Sequence, residues 1–261
     1  MSTTTVAAAM RVSTASISAR PALGRLVTVE LRKMVDTCAG FWLQVAIVAL
    51  TVVAVITRLM VGDTADHDFA SVLDVALQPA AVLLPVSGVL LVTSEWSQRT
   101  ALITFALVPM RSRILGAKIV ASLILAVATL ILSVTVIAAG VLIASPGSDA
   151  PWSDAAALIG QAAVYLMSGM LIGVAFGAAL LASAPALVAY FTLPSAWMAV
   201  FSLSFFGEFA PWVDIARALG PMTAEVLSGT QWAHTGTALA VWMLLPLLIG
   251  AWRITRRDVT A

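Results

Sequence analysis

The sequence predicts an all-α membrane protein with six transmembrane helices. Of its 261 residues, 61% are hydrophobic and only 10% are charged, and the mean hydropathy is +1.03. Soluble domains carry about 25% charged residues, so this composition excludes a soluble fold. A second observation is that long windows without Asp, Glu, Lys or Arg recur along the chain. Each is long enough to cross the hydrocarbon core, which takes about 20 residues.

Five charge-free windows supply the six predicted helices. Four windows, at 37–57, 75–94, 119–148 and 226–252, each fit one crossing. The fifth, 155–207, is too long for a single helix that rises about 1.5 Å per residue. Pro185 near its middle predicts a tight turn between two crossings. The predicted spans are 39–59, 75–95, 116–144, 155–181, 186–207 and 236–253.

The distribution of basic residues supports this count. With a cytoplasmic N-terminus, every Lys and Arg except Arg58 and Arg217 falls on the cytoplasmic side, as the positive-inside rule requires. A five-span arrangement would instead place the three arginines of 253–257 outside. Residues 1–20 are expected to form a disordered cytoplasmic tail, although their acid-free composition also suits a transit peptide. Residues 256–261 form a second cytoplasmic tail, and 38–255 form the transmembrane domain.

Residues 21–37 predict an amphipathic helix before the first span. Leu23, Val27, Leu31 and Met34 recur at helical spacing, and basic residues occupy the opposite face. Such a helix lies in the cytoplasmic membrane interface, close to anionic headgroups. The alternative is that it extends the first span, but Pro21 and the polar face favour a separate helix.

The connection between the second and third spans, Ser94 to Lys118, is long, basic and partly amphipathic. Its helical pattern ends at Pro109. A connection of this length can form a contact surface, in which arginines pair with acids on a cytoplasmic partner and apolar side chains enter a groove. Alternatively, its bases only anchor it to anionic headgroups. Its charged residues are Glu95, Arg99, Arg111, Arg113 and Lys118.

The sequence contains no motif for catalysis or nucleotide binding. A GxxxxGK[ST] loop and an HExxH motif are both absent, and the two histidines, His67 and His234, lack ligand spacing. The single cysteine, Cys38, excludes an intrachain disulfide. Few ionisable residues fall within the spans, which argues against ion-coupled transport. No metal site is expected, and energy for any pumping would come from another polypeptide.

In its order of segments and in the connection after the second span, the chain resembles the ABC-2-type permeases, which are the membrane subunits of ATP-binding-cassette transporters. A short helix ending in Glu30-Leu31-Arg32-Lys33 precedes the first span, as in that family, and six spans follow. The connection after the second span resembles the family's coupling helix, except that Arg99 stands where many members have glycine. The residues that carry this part of the resemblance are Glu95, Thr100, Leu107, Pro109, Arg113 and Lys118.

The resemblance implies that the coupling helix seats in a groove of a separate ATPase, present in two copies, which binds ATP and Mg²⁺. No cofactor is expected in this chain itself. It also implies pairing with a second copy or a homologous permease in the plasma membrane, the inner membrane of a bacterium. The segment 208–236 resembles the family's outer re-entrant helices. On this hypothesis the ATPase contacts are Glu95, Arg99, Thr100, Leu107, Pro109, Arg111, Arg113 and Lys118.

The resemblance further implies export of a hydrophobic or amphipathic cargo, such as a drug, peptide, lipid or glycolipid. The candidate pathway residues are Gln44, Thr51, Gln78, Phe201, Phe205 and Glu208. Polar residues within spans also form hydrogen bonds between helices, so this list has a structural alternative.

Gly169, Gly173 and Gly177 form a stripe of small residues at four-residue spacing. They predict either a dimer or sliding contact or, as we prefer, packing inside the subunit. The alternative functions are a membrane anchoring or assembly factor that docks a cytoplasmic partner, and a membrane-embedded enzyme, which the missing motifs disfavour.

Overall fold

A computed structural model describes residues 22–61, 68–97, 111–144, 152–201 and 207–256. Of these residues, 92% are helical and none lies in a strand. Six helices are long and apolar enough to cross a membrane, which confirms the predicted helical class and the number of spans. The chain is therefore a multi-pass membrane protein. Its helices are α1 Leu23–Asp36, α2 Cys38–Val61, α3 Phe69–Ala76, α4 Gln78–Ser97, α5 Arg111–Ala144, α6 Ala155–Leu180, α7 Ser183–Phe201, α8 Ala210–Val213, α9 Ile215–Leu219, α10 Gly229–Leu239 and α11 Leu245–Arg256.

Helix α1 is separate from the first spanning helix, α2. The helix ends at Asp36, and the next residue, Thr37, has an extended backbone (φ −76°, ψ 144°), so the chain changes direction there. The Thr37 hydroxyl accepts a hydrogen bond of 3.1 Å from the Gly40 amide and caps the start of α2. Val27, Glu30 and Met34 form the buried stripe of α1. An amphipathic helix thus packs on the bundle through one face.

The second span begins earlier than its charge-free window indicates. Helix α3 starts at Phe69, six residues before the predicted start of the span at residue 75, and α4 follows after a single residue, Leu77. The Asp68 carboxylate accepts a hydrogen bond of 3.4 Å from the Ser71 amide and caps α3. Phe69, Leu77 and most apolar residues between them are buried in the bundle. The second span therefore includes Asp74 and the residues before it, although the charge-free window begins only at residue 75.

Helices α4 and α6 approach each other closely through glycines. A Cβ atom added at Gly88 would lie 2.7 Å from the Met170 carbonyl oxygen, and one at Gly173 would collide with the Pro85 carbonyl. Gly169 and Gly177 face the same helix, so all three glycines of the predicted stripe lie in this intrachain contact. Small residues allow two backbones to reach this distance in a membrane.

The break predicted at Pro185 separates α6 from α7. Helix α6 ends at Leu180, the next residue, Leu181, is left-handed (φ 56°), and α7 starts at Ser183. Pro185 therefore lies in the first turn of α7, where the missing N–H leaves no hydrogen bond unmade. Across the bundle, the Arg253 guanidinium of α11 donates to the Ala179 carbonyl near the end of α6.

Residues 207–228, which we call the cap segment, fold over one end of the bundle through α8, α9 and a short 3₁₀ turn at Gly220–Thr223. Gln161 of α6 fastens this segment. Its side-chain amide donates to the carbonyls of Met222 (3.1 Å) and Glu225 (2.7 Å), and its oxygen accepts from the Leu227 amide at 2.8 Å. The cap segment is thus held by a buried polar side chain from a spanning helix.

The last span begins at Gly229, earlier than the predicted residue 236. Ser228 and Gln231 form a reciprocal capping box, which supplies hydrogen bonds to the first free amides of α10. The helix then passes through a wider π-helical turn at Ala240–Leu244 and continues as α11.

Candidate functional site: a buried ion cluster joining three helices

Four charged side chains meet where α1 packs against α4 and α5. The Lys33 ammonium lies 2.8 Å from Glu30 Oε1 and 2.6 Å from Glu95 Oε1. The Lys118 ammonium lies 2.7 Å from Glu30 Oε2 and 3.2 Å from Glu95 Oε1. It also donates to the Leu91 carbonyl at 2.9 Å. Each lysine therefore bridges both carboxylates, and we call this group the ion cluster.

The ion cluster is buried and electrically balanced. Glu30, Glu95 and Lys118 are 4%, 6% and 4% exposed, and only Lys33 reaches the surface substantially. Two negative and two positive charges sum to zero within a few ångströms. Buried charges are tolerated only when they are paired and hydrogen-bonded. Removing any one member leaves an unbalanced charge away from water, so the four side chains act as one unit.

Burial by itself would lower the pKa of Lys33, because it disfavours the charged ammonium. Hydrogen bonds to Glu30 and Glu95, together with their negative charges, outweigh burial and raise the pKa above its ordinary value of 10.5. Lys33 therefore stays protonated throughout the physiological pH range. The Lys33 ammonium is thus available to pair with Glu30 and Glu95 over this range.

The position of the ion cluster gives it mechanical significance. Glu95 stands near the end of α4 and Lys118 in the second turn of α5, so they flank the long connection between these helices. Glu30 and Lys33 belong to α1. A displacement of α1 or of that connection must therefore move α4 and α5 together or break buried ion pairs.

A cavity of about 460 Å³ adjoins the ion cluster between α1, α2 and α4. Lys33 and Glu95 form part of its wall, beside the hydroxyl-bearing residues Ser87, Ser94 and Ser183. The Ser87 hydroxyl is buried and has no hydrogen-bond partner within the described part of the chain. A hydrated chamber at this end of the bundle would satisfy it.

The residues predicted to contact an ATPase are distributed unevenly in the structure. Arg99, Thr100, Leu107 and Pro109 lie outside the described residues. Arg111 is the first residue of α5, and Arg113 is half-buried in the following turn. Glu95 and Lys118 are engaged inside the chain, so another protein reaches them only if the ion cluster opens. Their contact with a partner stays a prediction. Within the chain, Glu95 and Lys118 form the ion pairs of the ion cluster.

The predicted pathway residues do not meet in one place. Gln44 and Thr51 line a cavity of about 110 Å³ between α2 and α5, where the Thr129 hydroxyl donates to the side-chain oxygen of Gln44 (Oε1) at 3.5 Å. Gln78 is exposed and donates to the backbone carbonyl of Asp74. Glu208 is exposed in the cap segment, Phe201 is the last residue of α7, and Phe205 lies outside the described residues.

Sequence reasoning did not identify Glu30 and Lys33 as partners of the predicted site residues. One local signal was present. Glu30 lies three residues after Val27 and four before Met34, so a carboxylate interrupts the apolar stripe of α1. A charge on the buried face of an amphipathic helix requires a partner from elsewhere in the chain. Gln161, which holds the cap segment, has no comparable signal.

Among the side chains that the structure describes, no group of His, Cys, Asp and Glu is arranged to hold a metal ion. No protein-family model and no curated protein sequence matches this chain.

Proposed function

We propose that this chain is the permease subunit of an ATP-driven transporter of the ATP-binding-cassette class, with two copies of a separate ATPase supplying the energy. It would work in the plasma membrane as a pair of permeases and export a hydrophobic or amphipathic molecule. The observation that carries the proposal is the ion cluster, because it joins α1 to both helices that flank the connection at 98–110. A motor that pushes on this connection would move three helices as one body.

The proposed orientation puts the ion cluster at the cytoplasmic face. Support comes from the strong bias of Lys and Arg towards the segments that join this end of the bundle. In this orientation α1 lies along the inner membrane interface, and the cap segment dips into the outer leaflet. The connection at 98–110 then faces the cytoplasm, where an ATPase binds.

In the proposed cycle, ATP closes the ATPase pair and draws the two connections together. Because Lys118 pairs with both Glu30 and Glu95, and Lys33 also bridges these two carboxylates, the displacement passes into α4, α5 and α1 at once. The cavity beside Lys33 and Glu95 would change shape with this motion. A transported amphipathic molecule would be released towards the cap-segment side.

Co-purification with an ATPase tests the proposal. The decisive variant is Arg111→Glu/Arg113→Glu, which reverses two charges next to the connection. We expect ATPase binding to weaken at least tenfold, because close charge pairs at interfaces couple by more than about 1.4 kcal/mol. The matched control is Arg25→Glu/Arg32→Glu, which makes the same charge change on exposed positions of α1.

Two results would argue against the proposal. If no protein with a phosphate-binding loop co-purifies with the chain, the permease function fails. If a cytoplasmic protein without such a loop co-purifies instead, the chain is an anchoring factor. Equal ATPase affinity for the wild type and the Arg111/Arg113 variant would show that these arginines do not belong to the coupling surface.

A further inference from the structure

A third cavity, at the other end of the bundle, combines apolar walls with several aromatic rings. It has a volume of about 340 Å³ and lies between α4, α6 and α7 under the cap segment. Ligand pockets typically range from about 300 to 1,000 Å³. Its aromatic lining consists of Tyr165, Tyr190, Phe191 and Trp242. The chain has only two tyrosines, and both line this cavity.

The cavity opens on the lateral surface of the bundle. Val82 of α4 and Phe191 of α7 belong to its lining, yet they are 48% and 45% exposed. Both residues are on helices that are long and apolar enough to cross a membrane, so this mouth opens sideways from the spanning part of the chain. A ligand that enters from there must first partition into the membrane, which selects a lipophilic molecule.

The aromatic rings are fixed by the packing behind them. The Trp242 indole N–H donates to the Val213 carbonyl at 2.8 Å, so its polar atom is satisfied by the cap segment. Its ring stacks on Phe176 at 6.5 Å, and Tyr190 meets Phe176 edge-on at 6.3 Å. Rigid aromatic faces in a water-poor site attract cations through their quadrupoles.

A carboxylate contacts the turn that borders this aromatic cavity. Asp74, near the end of α3, forms no ion pair within the described ranges, and its oxygen accepts only the Thr223 hydroxyl at 2.6 Å. Thr223 belongs to the short 3₁₀ turn at Gly220–Thr223, and the first residue of this turn, Gly220, lines the cavity. An ionisable side chain inside a span marks a binding site by default, and a low dielectric strengthens its attraction for a cation.

Most of the described charges at this end are negative. The described acidic residues of the cap segment and of the helix ends near it are Asp68, Asp74, Asp154, Glu208, Asp214 and Glu225, whereas the described bases of this end are Arg58 and Arg217. Arg217 lies 3.4 Å from Asp214 and is therefore already paired. The electrostatic field at this end thus favours a positive ligand.

We propose that this cavity binds lipophilic monovalent cations, with the aromatic rings around the charged centre and Asp74 as the nearby counter-ion. Apolar walls take the substituents of the cation, and the lateral mouth admits it from the bilayer. The inference deepens the proposed function by naming a cargo class, and it depends on that function only for the role of the cavity in transport. Binding itself requires no ATPase.

Equilibrium binding to the purified chain in lipid nanodiscs tests the site. The probes are tetraphenylphosphonium and tetraphenylborate, which have nearly the same shape and opposite charges, with empty nanodiscs as the blank. We expect saturable binding of tetraphenylphosphonium only. Asp74→Asn should weaken it about tenfold, because asparagine keeps the acceptor for Thr223 but loses the charge. Trp242→Leu should weaken it about fivefold through the lost cation–π contact.

Asp154→Asn is the matched control for charge. Asp154 is exposed at the same end and adopts a left-handed backbone (φ 57°), which asparagine tolerates. It should leave binding unchanged. Saturable binding of both probes with equal affinity, no saturable binding of either, or equal affinity of the Asp74→Asn and wild-type chains would each overturn the cation site. None of these results would affect ATPase co-purification, so the two proposals fail independently.

Discussion

Replacing Lys118 by methionine provides the most direct test of the ion cluster. Methionine is close to lysine in length and fills the same apolar channel, so the substitution removes mainly the charge. The lost contacts are 2.7 Å to Glu30, 3.2 Å to Glu95 and 2.9 Å to the Leu91 carbonyl. Two buried carboxylates would then share Lys33 alone. Breaking a buried ion pair on one side costs about 3–5 kcal/mol, and we expect a loss of this size in the free energy of unfolding.

The measurement is equilibrium unfolding of the purified chain in detergent micelles, followed by tryptophan fluorescence. Arg25→Met is the control, since it removes a positive charge from an exposed position of the same region. It should change stability by less than about 0.5 kcal/mol. The double variant Glu30→Gln/Lys118→Met restores charge balance, with Glu95 paired to Lys33. We expect it to be more stable than Lys118→Met alone by at least about 1 kcal/mol.

Two outcomes would refute this reasoning. A loss below about 1 kcal/mol for Lys118→Met would mean that the ion cluster behaves like a solvated surface pair. Strict additivity of Glu30→Gln and Lys118→Met would mean that the two charges do not interact. In either case α1 would not be coupled electrostatically to α4 and α5, and the mechanical part of the proposed function would lose its support.

Two further substitutions test the packing that surrounds the sites. Gln161→Leu leaves the Leu227 amide and two cap-segment carbonyls without their partner, which should cost about 1–3 kcal/mol locally. Hydrogen exchange should accelerate at residues 222–228 and not in α4, and unchanged exchange would contradict the fastening role. Gly173→Ala places a methyl group against the Pro85 carbonyl and should destabilise the chain by about 1–3 kcal/mol. Gly160→Ala, whose Cβ would meet nothing within 4 Å, should be neutral or stabilising, and equal unfolding free energies for the two variants would refute the close contact.

The number of spans could be predicted from composition because a membrane crossing needs only a long apolar run. Helix boundaries could not be predicted equally well. A charge-free window places a predicted helix boundary at each ionised residue. Asp74 nevertheless lies inside the second span, where Thr223 contacts its side chain. Likewise, the last span starts at Gly229 because the capping box at Ser228 and Gln231 initiates a helix ahead of the apolar run.

The ion cluster could be predicted only in part. Glu95 and Lys118 were identified because they flank an unusual connection, which is a local property of the sequence. Their partners are far away along the chain, with separations of 62 residues between Lys33 and Glu95 and 88 between Glu30 and Lys118. Helical periodicity places Glu30 on the buried face of α1, but it does not identify the charge that it meets.

The sequence by itself determined the class of the protein, its six spanning helices, the turn near Pro185 and the bias of basic residues. These properties follow from the free energy of transferring a segment into the membrane and from local backbone preferences. Both depend on the residues of the segment itself and not on what packs against it. The tertiary structure alone decided which charges pair, how closely α4 approaches α6, and that Gln161 holds the cap segment. Such pairings depend on how whole helices pack, because a side chain meets its partner only after the backbones are in place.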